Sequence, residues 1–396
     1  MNIEIKQKID LIVECIFTKI QKSEEESFGL YTGGFGLLLF LFYYSRYFKN
    51  KKHTLLTEKY AERLLNQFIE KEKLHTFCSG LSGILYLFEF LRENDYIDMD
   101  VSNAQPVLDN YLVSRMKQDI QQRYYDFMHG ALGVGLYFLK KGTHPEYIQE
   151  LIEFLYHTAE KEPDNQIFKW ESVVLINEEN RSTYNLALSH GISSIIIFLS
   201  RVIESGISDK KIIEMLSCAV NYVLSQKKDS SQFGSCFPNY ILINSTNPLS
   251  KSRLAWCYGD LGIGIALWQA GKAIDKMEWK DKGLEILFQS TKRRHYDESF
   301  VMDAGICHGS AGITMIYRRM YLETHRDEFK EVTLYWLNQT LNFSRFEDGL
   351  AGYKAFLKDG WIPDYSLLTG ISGIGLVFMS CLFDDVQTWD EMFLLS

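Results

Sequence analysis

Two kinds of stretch alternate along the chain. Segments such as "LTEKYAERLLNQFIEKEK", "EYIQELIEFLYHTAEKE" and "DKKIIEMLSCAVNYVLSQKK" place apolar residues at helical spacing with charges between them, the pattern of a helix with one buried face. Each leads to a Gly-x-x-Gly step and then to a run of about 10 to 14 residues that is hydrophobic nearly all round, as in a helix buried on every side. These runs read "GGFGLLLFLF" from Gly33, "GLSGILYLFEFL" from Gly80, "GALGVGLYFL" from Gly130, "GISSIIIFLS" from Gly191, "GDLGIGIALW" from Gly259, "GSAGITMIYR" from Gly309 and "GISGIGLVFM" from Gly370. Their first glycines lie 47, 50, 61, 68, 50 and 61 residues apart, which marks an internal repeat.

A repeated hairpin with a wholly apolar inner helix needs neighbours on both flanks, and no terminal repeat reads as a polar cap. The pattern therefore predicts an all-α single domain over residues 1–396. Its architecture is an α/α toroid (α/α barrel) of seven helix hairpins, with seven inner and seven outer helices; an open solenoid is the alternative. The glycines, each costing about 1 kcal/mol in helix propensity, are read as letting the inner helices converge at one end. That end carries the helix N-termini, with unpaired N–H groups and positive dipole ends, and is where a site that stabilises anions is expected. The segment "NQIFKWESVVLINEENRSTYNLALSHG" is long for a connection and rich in aromatics and β-formers, which predicts a strand-containing flap around 163–188 that contacts a peptide at the mouth.

With 46% hydrophobic and 23% charged residues the chain can bury a large core. A net charge of -9 removes the generic attraction for nucleic acid or anionic lipid and favours a basic or electroneutral partner. The longest apolar runs, such as "GLLLFLFYY", fall short of the roughly 18 residues of a membrane span, and the N-terminus lacks a signal-peptide core. A soluble, cytoplasmic protein is expected. Seven scattered cysteines argue against a disulfide framework. Cys15, Cys78, Cys218 and Cys381 read as small core residues and Cys236 as a loop residue. Cys257 and Cys307 differ.

Equivalent positions of neighbouring repeats face one another. One place before each first glycine stand Thr32, Ser79, His129, His190, Tyr258, His308 and Thr369; two places before stand Tyr31, Cys78, Met128, Ser189, Cys257, Cys307 and Leu368. Cys257 and Cys307 thus share one position in adjacent repeats, with His308 beside the second. Two thiolates and an imidazole suit Zn²⁺ and leave one tetrahedral position for catalysis. Adjacent residues diverge on a helix, so Cys307 and His308 share a metal only on the turn before it. The bland alternative is two buried cysteines and a hydrogen-bonded histidine. His190 in "LSHGIS" is a candidate proton-transfer group, or a core histidine bonded to backbone. Asp126 in "YYDFMHG" either orients a histidine or caps a helix. Arg253 stabilises negative charge or braces its loop, Tyr258 offers a hydroxyl or packs, and His129 has no assigned role. No P-loop, G-x-S-x-G or HExxH motif is present.

Set in seven Gly-x-x-Gly repeats, "AWCYG", "CHG" and "SHG" resemble the LanC family of lanthipeptide cyclases over essentially the whole chain. The resemblance implies an α/α toroid with zinc held by Cys257, Cys307 and His308, and an active site lined by His190, Asp126, Arg253 and Tyr258. The implied reaction adds a cysteine thiol to dehydroalanine or dehydrobutyrine in the same precursor peptide, forming lanthionine or methyllanthionine rings; His190 acts as acid or base. Ser194 in place of the second glycine and Ser189 before "HG" depart from the family pattern, which puts local packing beside His190 in question. No long N-terminal extension could house a dehydratase, so a stand-alone cyclase is expected. A separate dehydratase and an export transporter are partners the family implies, which would bring the protein to the membrane surface through a biosynthetic complex. Rival readings are a LanC-like protein that adds glutathione to dehydroamino acids in proteins, zinc-dependent thiol alkylation of the prenyltransferase type, a toroidal glycosidase with Asp126 and Asp260 as its carboxylates, and a non-catalytic peptide-binding scaffold.

Overall fold

The computed structural model spans Met1–Ser396 and describes residues 1–22, 27–71, 74–97, 105–162, 164, 166–176, 178–245, 249–383 and 388–396. Amphipathic and apolar helices alternate as the hydrophobic pattern predicts. In chain order these are α1 (Asn2–Lys22), α2 (Gly34–Phe48), α3 (Lys51–Lys71), α4 (Leu81–Glu93), α5 (Gln105–Gln121), α6 (Ala131–Lys141), α7 (Pro145–Thr158) and α8 (Ile192–Glu204). After α9 (Lys210–Ser225) and the short α10 (Ser230–Phe233) comes α11 (Asp260–Ala273). The series continues through α12 (Met277–Ser290), the short α13 (Tyr296–Ser299), α14 (Ser310–Thr324), α15 (Asp327–Asn342) and α16 (Ile371–Leu382). In α8 every residue from Ile192 to Ser200 is buried, its serines included. Among the described residues no helix is long and apolar enough to cross a membrane.

The chain forms two compact units, Met1–Ala104 with Val301–Ser396, and Gln105–Phe300. In the first, α2 packs on α3, α14 on α15, and α16 against both α2 and α14, with α1 also on α16. The last apolar helix thus packs against the first, an arrangement an open solenoid does not make. The C-terminal turn Thr388–Phe393 locks this unit. Phe393 stacks on Tyr31 at 4.7 Å, and Asp390 holds Arg319 through two buried bonds of 2.8 and 2.6 Å. In the second unit, α6, α8 and α11 form a continuous apolar row, covered by α5, α7, α9 and α12.

Small antiparallel sheets interrupt the helices. In the second unit β1 (Glu160–Glu162) pairs with β2 (Ile167–Lys169), and β3 (Glu171–Ile176), β4 (Glu179–Asn185) and β5 (Tyr240–Leu242) follow in that spatial order. In the first, β6 (Ala355–Leu357) pairs with β7 (Gly360–Ile362). Most of the segment predicted as a flap is therefore extended; residues 163, 165 and 177 lie outside the described residues. Cys78 and Cys218 are buried as expected, while Cys15 and Cys381 are half-buried. Cys236, too, is buried, its thiol 3.0 Å from Gln289 Oε1.

The loops entering the apolar helices are joined by backbone bonds from the position two before the first glycine. In the first unit the N–H of Cys307 donates to Leu368 O at 2.9 Å, that of Leu368 to Tyr31 O at 3.0 Å, and that of Tyr31 to Cys78 O at 2.8 Å. In the second, Ser189 N–H donates to Cys257 O at 3.3 Å. The glycine step serves these loops as well as helix convergence. A Cβ at Gly191 would stand 2.2 Å from Asn185 O, in its own loop, whereas one at Gly262 would stand 2.6 Å from Leu188 Cβ, in the neighbouring loop.

Gly259 is the most demanding of these positions. Its φ of +90° disfavours any side chain, and an added Cβ would lie 2.5 Å from Arg253 O. Gly206 shares the positive φ, +91°, with nothing within 4 Å of such a Cβ. Gly206→Ala is therefore expected to cost about 1 kcal/mol and Gly259→Ala about 3 kcal/mol or more. Equilibrium denaturant unfolding checks the difference; equal losses at the two positions would remove the crowding argument.

Candidate active site

Two loops of the second unit meet at Asp126. Its Oδ1 accepts the backbone N–H of His129 at 2.8 Å, shaping the turn into α6, and its Oδ2 lies 2.7 Å from His190 Nδ1. The carboxylate thus fills both roles the sequence left open, turn former and partner of a histidine. The His129 ring lies nearly parallel to that of His190, with centroids 5.7 Å apart and planes at 18°. Tyr258 approaches from the other side, its ring centroid 6.2 Å from that of His190. Asp126, His129, His190 and Tyr258 face a cavity of about 530 Å³ bordered by β3.

One carboxylate between two imidazoles sets them apart electrostatically. Burial opposes the charged form of His190, but the Asp126 hydrogen bond and charge, with the charge of Cys257, outweigh it and raise the pKa above that of ordinary histidine. For His129 burial dominates and the charge of His190 adds to it, so the pKa is lowered despite Asp126. The two stacked rings are thus shifted in opposite directions.

Cys257 is buried between Trp256 and Tyr258 on the loop into α11. Its carbonyl accepts from both the N–H (3.3 Å) and Oγ (3.1 Å) of Ser189, so the serine that departs from the family pattern ties the His190 loop to the cysteine. Ser194, the other departure, turns its hydroxyl onto Gly191 O at 2.7 Å. Asp260 is a buried brace, accepting the N–H groups of Cys236 and Phe237 at 2.9 Å each and pairing with Arg293 at 3.1 Å. Arg253 is exposed and lies outside the residues that line the cavity.

Cys307 and His308 belong to the first unit, on the turn before α14. His308 Nε2 lies 3.2 Å from Phe356 O and 3.4 Å from Asp303 Oδ2. Hydrogen bonding to these acceptors assigns the proton to Nε2 and the lone pair to Nδ1, the tautomer of a metal-ligating histidine supported by a carboxylate. A donor set of two thiols and such an imidazole fits zinc. Among the described residues, no group of three or more His, Cys, Asp or Glu stands close enough together to hold a metal.

Asp303 escaped the reading of the sequence. It is fully buried, with Oδ1 on Gly305 N–H at 3.1 Å and Oδ2 on Phe356 N–H at 2.8 Å. A signal for it exists six places before the first glycine, where Asn185, Asp303 and Asp364 stand in three repeats. Each accepts the N–H two residues on, at 2.9, 3.1 and 2.8 Å, as an Asx turn does.

The model of the lanthionine synthetase C-like protein family matches residues 24–394. The chain belongs to that family. Among its relatives is the nisin biosynthesis protein NisC of Lactococcus lactis subsp. lactis, 23% identical over an alignment covering 83% of each chain. A solved structure of nisin cyclase covers 99% of this LanC-like chain, and is itself covered to 97%, with a TM-score of 0.78 at 19% identity. That likeness shows the fold, the predicted all-α toroid of helix hairpins.

In this LanC-like chain, Asp126→Asn keeps an acceptor for the His129 amide but removes the charge that outweighs burial at His190. The His190 pKa is then expected to drop below the ordinary histidine value, because desolvation of the charged ring is left unopposed by a carboxylate. An NMR titration of the His190 ring protons reads this directly; an unmoved midpoint would mean that Asp126 is not what holds the proton.

Proposed function

We propose that the chain is a zinc-dependent lanthipeptide cyclase that closes lanthionine and methyllanthionine rings in a dehydrated precursor peptide. The Asp126–His190 pair facing a peptide-sized cavity carries this reading, alongside relatives named for nisin biosynthesis and as a cyclase. A zinc ion held by Cys257, Cys307 and His308 would keep an incoming thiol ionised at neutral pH. The substrate sulfur's lone pair forms the C–S bond to the β-carbon of the dehydroamino acid, and the alkene electrons pass into an enolate. His190 delivers a proton to the α-carbon, and the proton lost when the thiol ionised returns to the ring through solvent. The peptide's mass is unchanged.

The raised pKa of His190 supports the acid role over the base role that the sequence left equally open. Asp126 fixes Nδ1, so Nε2 is the transferring nitrogen. Tyr258 flanks the ring and stands next to Cys257, where its hydroxyl can hydrogen-bond the enolate oxygen. Glutathione, with two carboxylates, fits less well. The cavity walls carry Asp126, Glu160 and Glu171 against Arg123. The dehydroamino acids must come from a separate dehydratase, and the finished peptide leaves through a transporter.

The test incubates the purified protein with a dehydrated precursor peptide and counts free thiols by alkylation. Thiol loss without mass change is expected, with Cys257→Ala retaining the thiols and losing bound zinc in metal analysis; thiols retained with the wild-type protein, or full closure by Cys257→Ala, would refute the assignment. His190→Asn is expected to slow closure about 100-fold or more. An acid whose pKa is raised stays protonated above the ordinary histidine range and is lost as pH rises through its own pKa. The wild-type rate should therefore fall on the alkaline side, and Asp126→Asn should bring that fall to lower pH. A profile that rises instead would make His190 the base.

A further inference from the structure

β3 is an edge strand: β4 pairs with it on one side, and among the described residues no strand pairs with it on the other. The hairpin register joins Ile176 to Glu179 across a two-residue connection, so Ile176, Val174 and Ser172 exchange the ladder bonds with β4. The N–H and C=O groups of Glu171, Val173 and Leu175 consequently point away from β4. The far side of β4 agrees, since the Ser182 carbonyl opposite Val173 is turned toward β5 and accepts Ile243 N–H at 3.1 Å. Val173 and Leu175 are 62% and 66% exposed, and the strand has neither a lysine nor a proline to guard its edge.

This edge borders the cavity of Asp126 and His190. Six consecutive residues, Trp170 to Leu175, line it. Side chains alternate between the faces of a strand, so consecutive residues line one space only when that space runs along the strand's edge. The segment from Gln122 to Asp126 borders the same slot, with His190 and Tyr258 among its lining residues. From Glu171 to Leu175 the edge measures ~13 Å, about the reach of four extended residues.

We infer that the slot receives the substrate peptide as an added strand on β3, through main-chain bonds to Val173 and Leu175. Strand addition reads the backbone and leaves alternate side chains free, which suits a substrate whose side chains are the reacting groups. The apolar faces of Val173 and Leu175 cover the bound chain. The carboxylates of Glu160, Glu171 and Asp126, against the single guanidinium of Arg123, select a neutral or basic segment. The inference rests on the cyclase reading only for the identity of the peptide.

The test uses the full chain and a short, lysine-flanked synthetic peptide containing one dehydroalanine and one cysteine, with a twin N-methylated at alternate residues and a third in which alanine and serine replace the reacting pair. Fluorescence anisotropy measures binding, and hydrogen exchange reads the β3 amides. Val173→Pro removes an outward N–H from an edge position where proline is tolerated, so the fold survives; circular dichroism checks this. Leu175→Lys changes the edge without touching the ladder. Expected are protection of the Val173 and Leu175 amides by the parent and non-reacting peptides, binding about five- to tenfold weaker to Val173→Pro, and a larger loss for the N-methylated twin. Equal binding of parent and N-methylated peptides, absence of β3 protection, or β3 protection that comes only from dimerisation of the chain in sedimentation would each overturn the inference. Strand-like binding without ring closure would leave it standing and count against the cyclase reading instead.

Discussion

From Tyr31, Ser189, Cys307 and Leu368, each two places before its glycine, a backbone N–H reaches across to another loop that enters an apolar helix. Cys307 to Leu368, Leu368 to Tyr31 and Tyr31 to Cys78 form a continuous series in one unit, and Ser189 to Cys257 repeats the device in the other. Such a bond contributes only about 1 kcal/mol net, yet leaving a buried amide unmade costs about 1–3 kcal/mol, so the register is strongly enforced. The next residue along the chain is a candidate site histidine, His308 after Cys307 and His190 after Ser189. Packing and site geometry are thus set by the same bonds. The glycines let the backbone come close enough to make them.

A second economy lies in how carboxylates are used. Asp126 gives one oxygen to the turn into α6 and the other to His190, and Asp303 likewise divides itself between Gly305, Phe356 and His308. A carboxylate that shapes a loop therefore also bonds an imidazole beside it. Around Asp126 the result is two stacked histidines with pKa values pushed in opposite directions.

The strands stand outside the helical scheme. β3 and β4 lie between α7 and α8, and β3 presents to the cavity the one kind of surface a packed helix lacks, a row of outward-facing main-chain groups. Loops entering the helices position the candidate site side chains, and an extended edge runs beside them.

Helix alternation, the seven repeats and the loop positions of Cys257, Cys307, His308 and His190 were legible in the sequence, because period and glycine spacing are local and each repeat obeys the same packing demand. The pairing of Asp126 with His190 was legible only as one of two options, and the difference between His190 and His129 was not legible at all. Both histidines precede a glycine in the same way; what separates them is burial and the side of one carboxylate each meets, quantities that exist only once two loops 64 residues apart are brought together. Arg253 shows the converse, a charge four residues from a cysteine that folding leaves exposed and away from the cavity. Asp303 and the open edge of β3 were likewise decided by tertiary structure, since hydrogen-bond partners and strand neighbours depend on which distant backbone arrives alongside.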